Sequence, residues 1–485
     1  MYTSPIRVTR LDHRIDPDPS RVIARPFIPG GEARIRGIIE RILEIPEDSA
    51  LDMLDRLEAH FRINHPEIEE ILLEHFEEVE TYLPSLPELS DKRKRLIGAY
   101  FTMEYALEAA ALFNPSMVPA IDQRGLPAGS TRFLMSLRAT GEGHISSIVF
   151  RQGVIHEDHR ISIETGSRYR RPLKVRENRT YLKKTYAFKL REMEGKNLLA
   201  DQVLAGLGDE FTFKELCSAL ETLGEGETET PAVMETRQDM LSLARANYQI
   251  VLPDDVDVSA AVIFPHSENE SRGLEDLRLV RFKEEDGTGV LYGTYTAYNG
   301  FHIIPQMIEV RGERDNINVH TLSGKFAQNK GMALFPRKVC GQYMMSGRID
   351  NENLYIMKSD HVLVWNHAEM VQTPKFPWEL VQLGNCGSPL ETEEGWLLLT
   401  HGVGPMRQYC IGAVLLDLED PTKIIRQTSE PLMVPRGEER HGYVPNVVYS
   451  CGAMIHNDVL IIPYAMSDIS SSFAIISLEE LLRMA

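Results

Sequence analysis

Glu275 and Asp276 stand side by side in the stretch Ser271-Arg-Gly-Leu-Glu-Asp-Leu-Arg-Leu-Val-Arg-Phe282, flanked by Arg272 and Arg278. An alternating apolar segment, Gly289-Val-Leu-Tyr-Gly-Thr-Tyr-Thr-Ala297, follows at once. Paired carboxyls at the mouth of a strand, among fixed positive charges, are a setting for acid chemistry. The same residues also fit a solvated ion-pair turn ahead of a hairpin, and these residues alone leave both readings open.

Read with its neighbours, the stretch resembles the Glu-Asp-Pro-Arg signature of glycoside hydrolase family 130, the family of β-mannoside phosphorylases and β-mannosidases, with Leu277 in the usual proline position. The resemblance continues, in the family's order, through Asn329-Lys-Gly-Met-Ala-Leu-Phe-Pro336, Ser388-Pro-Leu-Glu-Thr-Glu-Glu-Gly-Trp396, His401-Gly-Val403 and Gly442-Tyr-Val-Pro-Asn-Val-Val448. It covers the C-terminal half well and residues near 107–155 more loosely. It implies a five-bladed β-propeller as the catalytic domain, at 107–485.

The resemblance also implies roles. Asp276 matches the acid of an inverting cleavage, which in the phosphorylases works through a sugar hydroxyl. Glu275 would hold an arginine and Arg278 would orient the loop. Asn114, Ser116 and Arg138 match first-blade positions that line the sugar and phosphate sites, although Asn114 reads equally as a helix stop. Asp468 matches an aspartate that binds sugar hydroxyls. Tyr443 and Asn446 fall near the expected funnel, with core packing as the other reading.

Inversion needs a second agent on the opposite face of the sugar. A phosphorylase supplies a cationic pocket for phosphate, a hydrolase a carboxylate that activates water. Where the family's phosphorylases carry Lys-Thr, this chain has Glu391-Thr392, and an anion there would repel phosphate and supply a base. Lys330, Arg348 and His401 keep the basic residues of a phosphorylase. Weighing these, the sequence favours a β-mannosidase on β-1,2-linked manno-oligosaccharides, with Asp276 as acid and Glu391 as base. Two alternatives stand beside it: a phosphorylase or mannosyltransferase using phosphate or mannose 1-phosphate, and a non-catalytic propeller that binds glycans or a protein. Local sequence alone would make Glu391 a surface residue of an acidic turn.

No metal or organic cofactor is required by this chemistry, with inorganic phosphate a co-substrate in the phosphorylase reading. His144, His401 and His441 lack metal-ligand spacing. There is no Gly-x-Gly-x-x-Gly or Walker loop in a strand-to-helix context. A net charge of −19 argues against a nucleic-acid partner, while leaving room for a basic pocket that binds one phosphate. The N-terminus lacks a signal-peptide apolar run and no later segment has the length of a membrane span. The five cysteines are scattered and never paired as Cys-x-x-Cys, which fits a reducing, cytoplasmic setting.

These residues must be carried by a chain of 485 residues, 43% hydrophobic and 25% charged, enough for two or three domains. Prolines at 5, 17, 19, 26 and 29 predict an extended arm. Apolar residues at helical spacing then predict four helices within an α-helical N-terminal region, 1–106. The last starts after Ser90-Asp91 and runs through Leu96, Tyr100, Met103, Leu107 and Ala110 toward Phe113. β grammar begins near Asn114, and a helical insertion at about 181–248 interrupts it, with Gly224–Pro231 a linker by composition. Short strands recur to the end. The fold class is therefore mainly β, with helical additions whose apolar stripes offer surfaces for a homo-oligomer.

Overall fold

A computed structural model of the chain describes residues 6–83, 89–164, 171–176, 180–194, 197–222, 230–253, 257–312 and 316–483. Among the described residues the strands form six sheets, and five antiparallel units follow one another along the chain, the first two joined in one twelve-stranded sheet where Gly273 pairs in parallel with Ser146. The first runs Ala111–Pro119, Thr131–Thr140, Ser146–Ile155, Ile161–Ile163. The second runs Gly273–Lys283, Gly289–Tyr298, Ile303–Val310, Ile317–Thr321, and the third Ala333–Leu334, Tyr343–Gly347, Leu354–Ser359, His367–Gln372. In the fourth, Gln382–Asn385 and Leu390–Thr392 both pair with Gly395–Val403, which is followed by Tyr409–Leu416 and Ile424–Gln427. The fifth holds Val448–Tyr449, Met454–His456, Val459–Met466 and Ser470–Ser477, and its outer strand is Val8–Ile15 from the start of the chain. No sheet among the described residues closes on itself.

The apolar runs that mark these strands are continuous because both faces of each unit are covered. Successive strand side chains point to opposite faces. Leu397 and Leu399 accordingly pack toward the fifth unit, while Trp396 and Leu398 pack toward the third. Phe133 and Met135 likewise face the fifth unit, and Leu134 faces the second. A further cluster, with Phe282, Tyr292 and Met345, joins the second unit to the third. Each unit thus shares an apolar core with two others.

The helical regions sit outside these units. Glu32–Leu43, Glu47–Phe61, Ile68–Glu77 and Asp91–Tyr100 pack Ile35, Ile39, Leu54, Leu72, Phe76 and Ile97 into one core. Ser90 caps the last helix by accepting the Arg93 N–H. Gly98 lets that helix touch its neighbour, since a Cβ there would lie 1.8 Å from the Leu72 carbonyl oxygen. The helix stops at Tyr100, short of the expected Phe113. Thr102–Ala106 instead pairs with Val22–Pro26, and a ladder with an open strand overrides the helical spacing of Met103, Leu107 and Ala110. The proline-rich arm is extended as its composition requires, and its two strands lie on Ser470–Ser477 and Thr102–Ala106.

The insertion holds helices Lys183–Glu194, Leu198–Ala205, Phe213–Thr222 and Pro231–Arg245, the last capped by Thr230. The expected linker Gly224–Pro231 falls outside the described residues up to 229. Buried Glu270 ties the insertion's end to the second unit, accepting hydroxyl bonds from Tyr248 and Tyr295. Among the described residues, no helix is long and apolar enough to cross a membrane.

Candidate active site

Two strand bulges create the site. Register slips between Phe113 and Ser116 in the first unit, and between Glu275 and Arg278 in the second. Pro115 explains the first, because it has no N–H to give to the ladder. At each slip one residue adopts a left-handed backbone, Asn114 at φ 49° and Asp276 at φ 57°. Asn and Asp tolerate that region better than other side chains, and a bulge re-aims the residue it carries. The two side chains meet, the Asn114 Nδ2 donating to Asp276 Oδ1 at 2.7 Å. Leu277, in place of the family's proline, is buried in the core between the first two units, so the bulge forms without a proline.

Around Asp276 the charges are dense. Arg138 lies 3.5 Å from its carboxylate and donates to Glu275 Oε1 at 2.9 Å. Lys330 donates to Glu275 Oε2 at 2.6 Å. Arg278 donates to the Asp276 carbonyl at 3.0 Å and to the Tyr449 hydroxyl at 2.8 Å. Burial alone would push the Asp276 carboxyl up, but Arg138, Arg278, the Asn114 amide and Lys330 outweigh it and hold it below the ordinary carboxylate range. Asp276 is therefore ionised among these neighbours.

Asp468 goes the other way. It lies in the turn between Val459–Met466 and Ser470–Ser477, also left-handed at φ 52°. Burial and the charge on Asp276 push its carboxyl up to about 6, against weaker opposition from Arg138 and Arg407. A carboxyl whose folded value lies above its unfolded one opposes folding once it is ionised. Asp468→Asn should therefore stabilise the chain at pH 8, on the order of 1–3 kcal/mol. That gain should shrink as pH falls through about 6, where the native carboxyl takes up its proton. Thermal melts across pH check the sign.

Beyond Asp276 lies a basic pocket. The His401 ring donates from Nδ1 to the Asn385 carbonyl at 3.0 Å, leaving Nε2 to accept from Arg348 at 3.1 Å. The ring stacks on Tyr409 and meets Tyr449 edge-on. Burial, and then Arg348, drives its pKa well below the ordinary histidine value, so the imidazole is neutral. Neither Arg278 nor Arg348 has a carboxylate partner among the described residues. The Nε of each, and Oδ1 of Asn114, are buried without a protein hydrogen-bond partner.

The structure thus brings together Asn114, Arg138, Glu275, Asp276, Arg278, Lys330, Arg348, His401 and Asp468. Tyr443 stands at the rim, 63% exposed and facing His144. Asn446 is left-handed and accepts from Arg440. Two expected residues lie elsewhere. Ser116 is fully buried and its hydroxyl accepts the Leu279 N–H at 2.9 Å, so it ties two strands together and does not face a substrate. Glu391 is exposed, is chelated by Arg337 and lines a cavity with Arg281 and Pro119. Five residues of strand, about 16 Å at roughly 3.3 Å per residue, separate Arg281 from Asp276. Glu391 is not placed to serve as a base in this cluster. Tyr449, one residue past the quoted Gly442–Val448 motif, and Tyr409 and Asn385 were not anticipated. Only Tyr449 had a sequence signal, its adjacency to that motif.

Residues 256–485 match the model of glycoside hydrolase family 130, described as beta-1,4-mannooligosaccharide phosphorylase. The chain is 33% identical over 223 residues to a 1,2-beta-oligomannan phosphorylase of Thermoanaerobacter sp., spanning 45% of this chain and 73% of that one. It is 28% identical over 228 residues to a beta-1,2-mannobiose phosphorylase of Listeria innocua, spanning 45% and 62%. The solved structure of the beta-1,2-mannobiose phosphorylase from Listeria innocua with beta-1,2-mannobiose aligns over 77% of this chain and 91% of that one, at 18% identity and a TM-score of 0.43. Sequence likeness on that scale, running through the segment that holds Asp276, Arg348 and His401, makes this chain a member of glycoside hydrolase family 130.

Proposed function

We propose that the chain is an inverting β-mannoside phosphorylase acting on short β-1,2-linked manno-oligosaccharides. The observation that carries this reading is the pair of guanidiniums beside Asp276, buried Arg278 and half-buried Arg348, that form no ion pair with a carboxylate among the described residues. An anion stripped of water recovers its solvation from such donors. Hydrolysis, which the sequence favoured, loses its base with Glu391 in its own ion pair.

Phosphate oxygen attacks the anomeric carbon from the Arg278 and Arg348 side as the bond to the glycosidic oxygen breaks on the opposite face. Asp276 supplies the proton that the leaving oxygen takes up, by way of a sugar hydroxyl. The products are α-mannose 1-phosphate and the shortened sugar. A phosphate dianion offsets the cations that keep Asp276 ionised, so the acid takes up its proton as phosphate enters. His401, neutral and anchored to Asn385, orients Arg348 without repelling it.

The five antiparallel units are, in this reading, the blades of a five-bladed propeller with the site on its axis. Ties in or beside their first strands support it: Ser116 with Leu279, Asn385 with the Gly331 carbonyl, and the Cys451 N–H with the Pro115 carbonyl. The propeller would occupy 107–485 and the helical region 1–106.

The test is product identity from β-1,2-mannobiose with and without phosphate. Mannose 1-phosphate formed only with phosphate is the expected result, and free mannose released at equal rates in both would overturn it. Glu391→Gln should leave turnover within about twofold and stability within about 1 kcal/mol, as exposed ion pairs contribute little. Steady-state rates and a melt check both.

A further inference from the structure

We propose that Arg10, on the N-terminal strand Val8–Ile15, is a positioning residue for the sugar site, acting through Glu439 on the turn that carries Asp468. The inference rests on the reading of Asp468 as a sugar ligand. Arg10 donates from Nε to Glu439 Oε1 at 2.7 Å and from Nη2 to the Val434 carbonyl at 2.8 Å. Glu439 is 8% exposed and its carboxylate also accepts the Tyr464 hydroxyl at 2.8 Å and the Arg436 N–H at 2.8 Å. Three donors from separate parts of the chain thus hold this carboxylate, two on Oε1 and one on Oε2, and fix the placement of the turn at 436–440.

That placement is transmitted to Asp468 by its neighbour. The Ser467 hydroxyl donates to the Glu439 carbonyl at 2.6 Å, and the Val444 N–H donates to the Ser467 carbonyl at 3.0 Å. Gly442 packs so tightly here that a Cβ would lie 2.4 Å from the Ser467 carbonyl oxygen. Ser467 and Asp468 are both left-handed, at φ 47° and 52°, a conformation that non-glycine residues hold only when their surroundings impose it. The imposing contacts come from the hairpin turn itself, where the Ile469 N–H donates to the Met466 carbonyl, from the bond of the Ser467 N–H to the Val447 carbonyl, and from the 436–444 loop, which is held by Arg10, more than 400 residues away in the chain. The same loop presents Tyr443 at the rim.

The test compares Arg10→Met, Arg10→Lys and Ser467→Ala with the wild type by calorimetric titration of β-1,2-mannobiose and, separately, of inorganic phosphate, well below each melting transition. Arg10→Met should weaken disaccharide binding about tenfold, the scale of one charge-assisted hydrogen bond, while phosphate binding stays within about twofold. Arg10→Lys, which keeps the ion pair, should recover part of the loss, and Ser467→Ala should weaken the sugar alone. Unchanged disaccharide binding in Arg10→Met overturns the proposal, as does equal weakening of sugar and phosphate, the mark of a merely structural role. A wild type that binds the disaccharide but not phosphate defeats the phosphorylase reading, and the Arg10 comparison then stands on sugar binding and its rescue by lysine. A wild type that does not bind the disaccharide overturns both.

Discussion

Replacing Asp276 by asparagine is expected to lower phosphorolysis by roughly 10²- to 10⁴-fold, the contribution typical of a positioned general acid. Asparagine is the informative substitution, because the residue at φ 57° must tolerate a left-handed backbone and asparagine does so nearly as well as aspartate. The variant keeps the shape of the bulge and removes only the proton that the leaving oxygen needs. Its neighbours remain paired, since Glu275 holds both Arg138 and Lys330. A near-UV circular dichroism spectrum like that of the wild type, with turnover lost in both the phosphorolytic and the synthetic direction, is the expected outcome. Turnover within tenfold of the wild type, on the order of 1.4 kcal/mol of barrier, would remove Asp276 from the role of acid.

Arg348→Met should raise the KM for phosphate by about 10²-fold, the loss expected when a buried charged hydrogen-bonding partner is removed from an ion pair. The same change should raise the melting temperature. Arg348 is half-buried, bonds to a neutral imidazole and lacks a carboxylate partner among the described residues, and its partial burial lowers its pKa. A cation in that position costs desolvation that no carboxylate among the described residues offsets, and methionine fills similar volume without it. The two effects in opposite directions separate a ligand-binding arginine from a structural one, which would lose stability and activity together. With Arg348 gone, the His401 pKa should move up toward its ordinary value, because the second-largest cause of its depression after burial is removed. Phosphate titrations, melts and the histidine's NMR titration check the three parts.

Much of the molecule was legible in the residues. The helical spacing of Ile35, Ile39, Leu54 and Leu72 led to one helical core, and the proline-rich arm had to be extended. Asp276, its flanking Glu275 and Arg278, and the basic residues Lys330, Arg348 and His401 could be singled out because their motifs lie in short contiguous segments, and the structure brings them together. What misled was distance along the chain taken for distance in space. Glu391 lies in a motif beside catalytic segments, yet its strand carries it to Arg337. Ser116 shares a motif with Asn114, but the register slip between Phe113 and Ser116 breaks the alternation that would put the two on one face, and Ser116 turns to Leu279.

By itself the sequence determined the composition of the strands and the chemistry available to them. Trp396-Leu-Leu-Leu and similar runs are apolar at every position, which requires sheets covered on both faces. Glu275-Asp276 between arginines supplied an acid in a cationic setting. The tertiary structure alone decided which carboxyl is held ionised and which is pushed up, because Asp276 and Asp468 differ by neighbours drawn from separate units. It also decided that Arg278 and Arg348, 70 positions apart, stand around one pocket and form no ion pair with a carboxylate among the described residues. Electrostatic energies depend on through-space distance and burial, and neither is a property of adjacent residues in a chain.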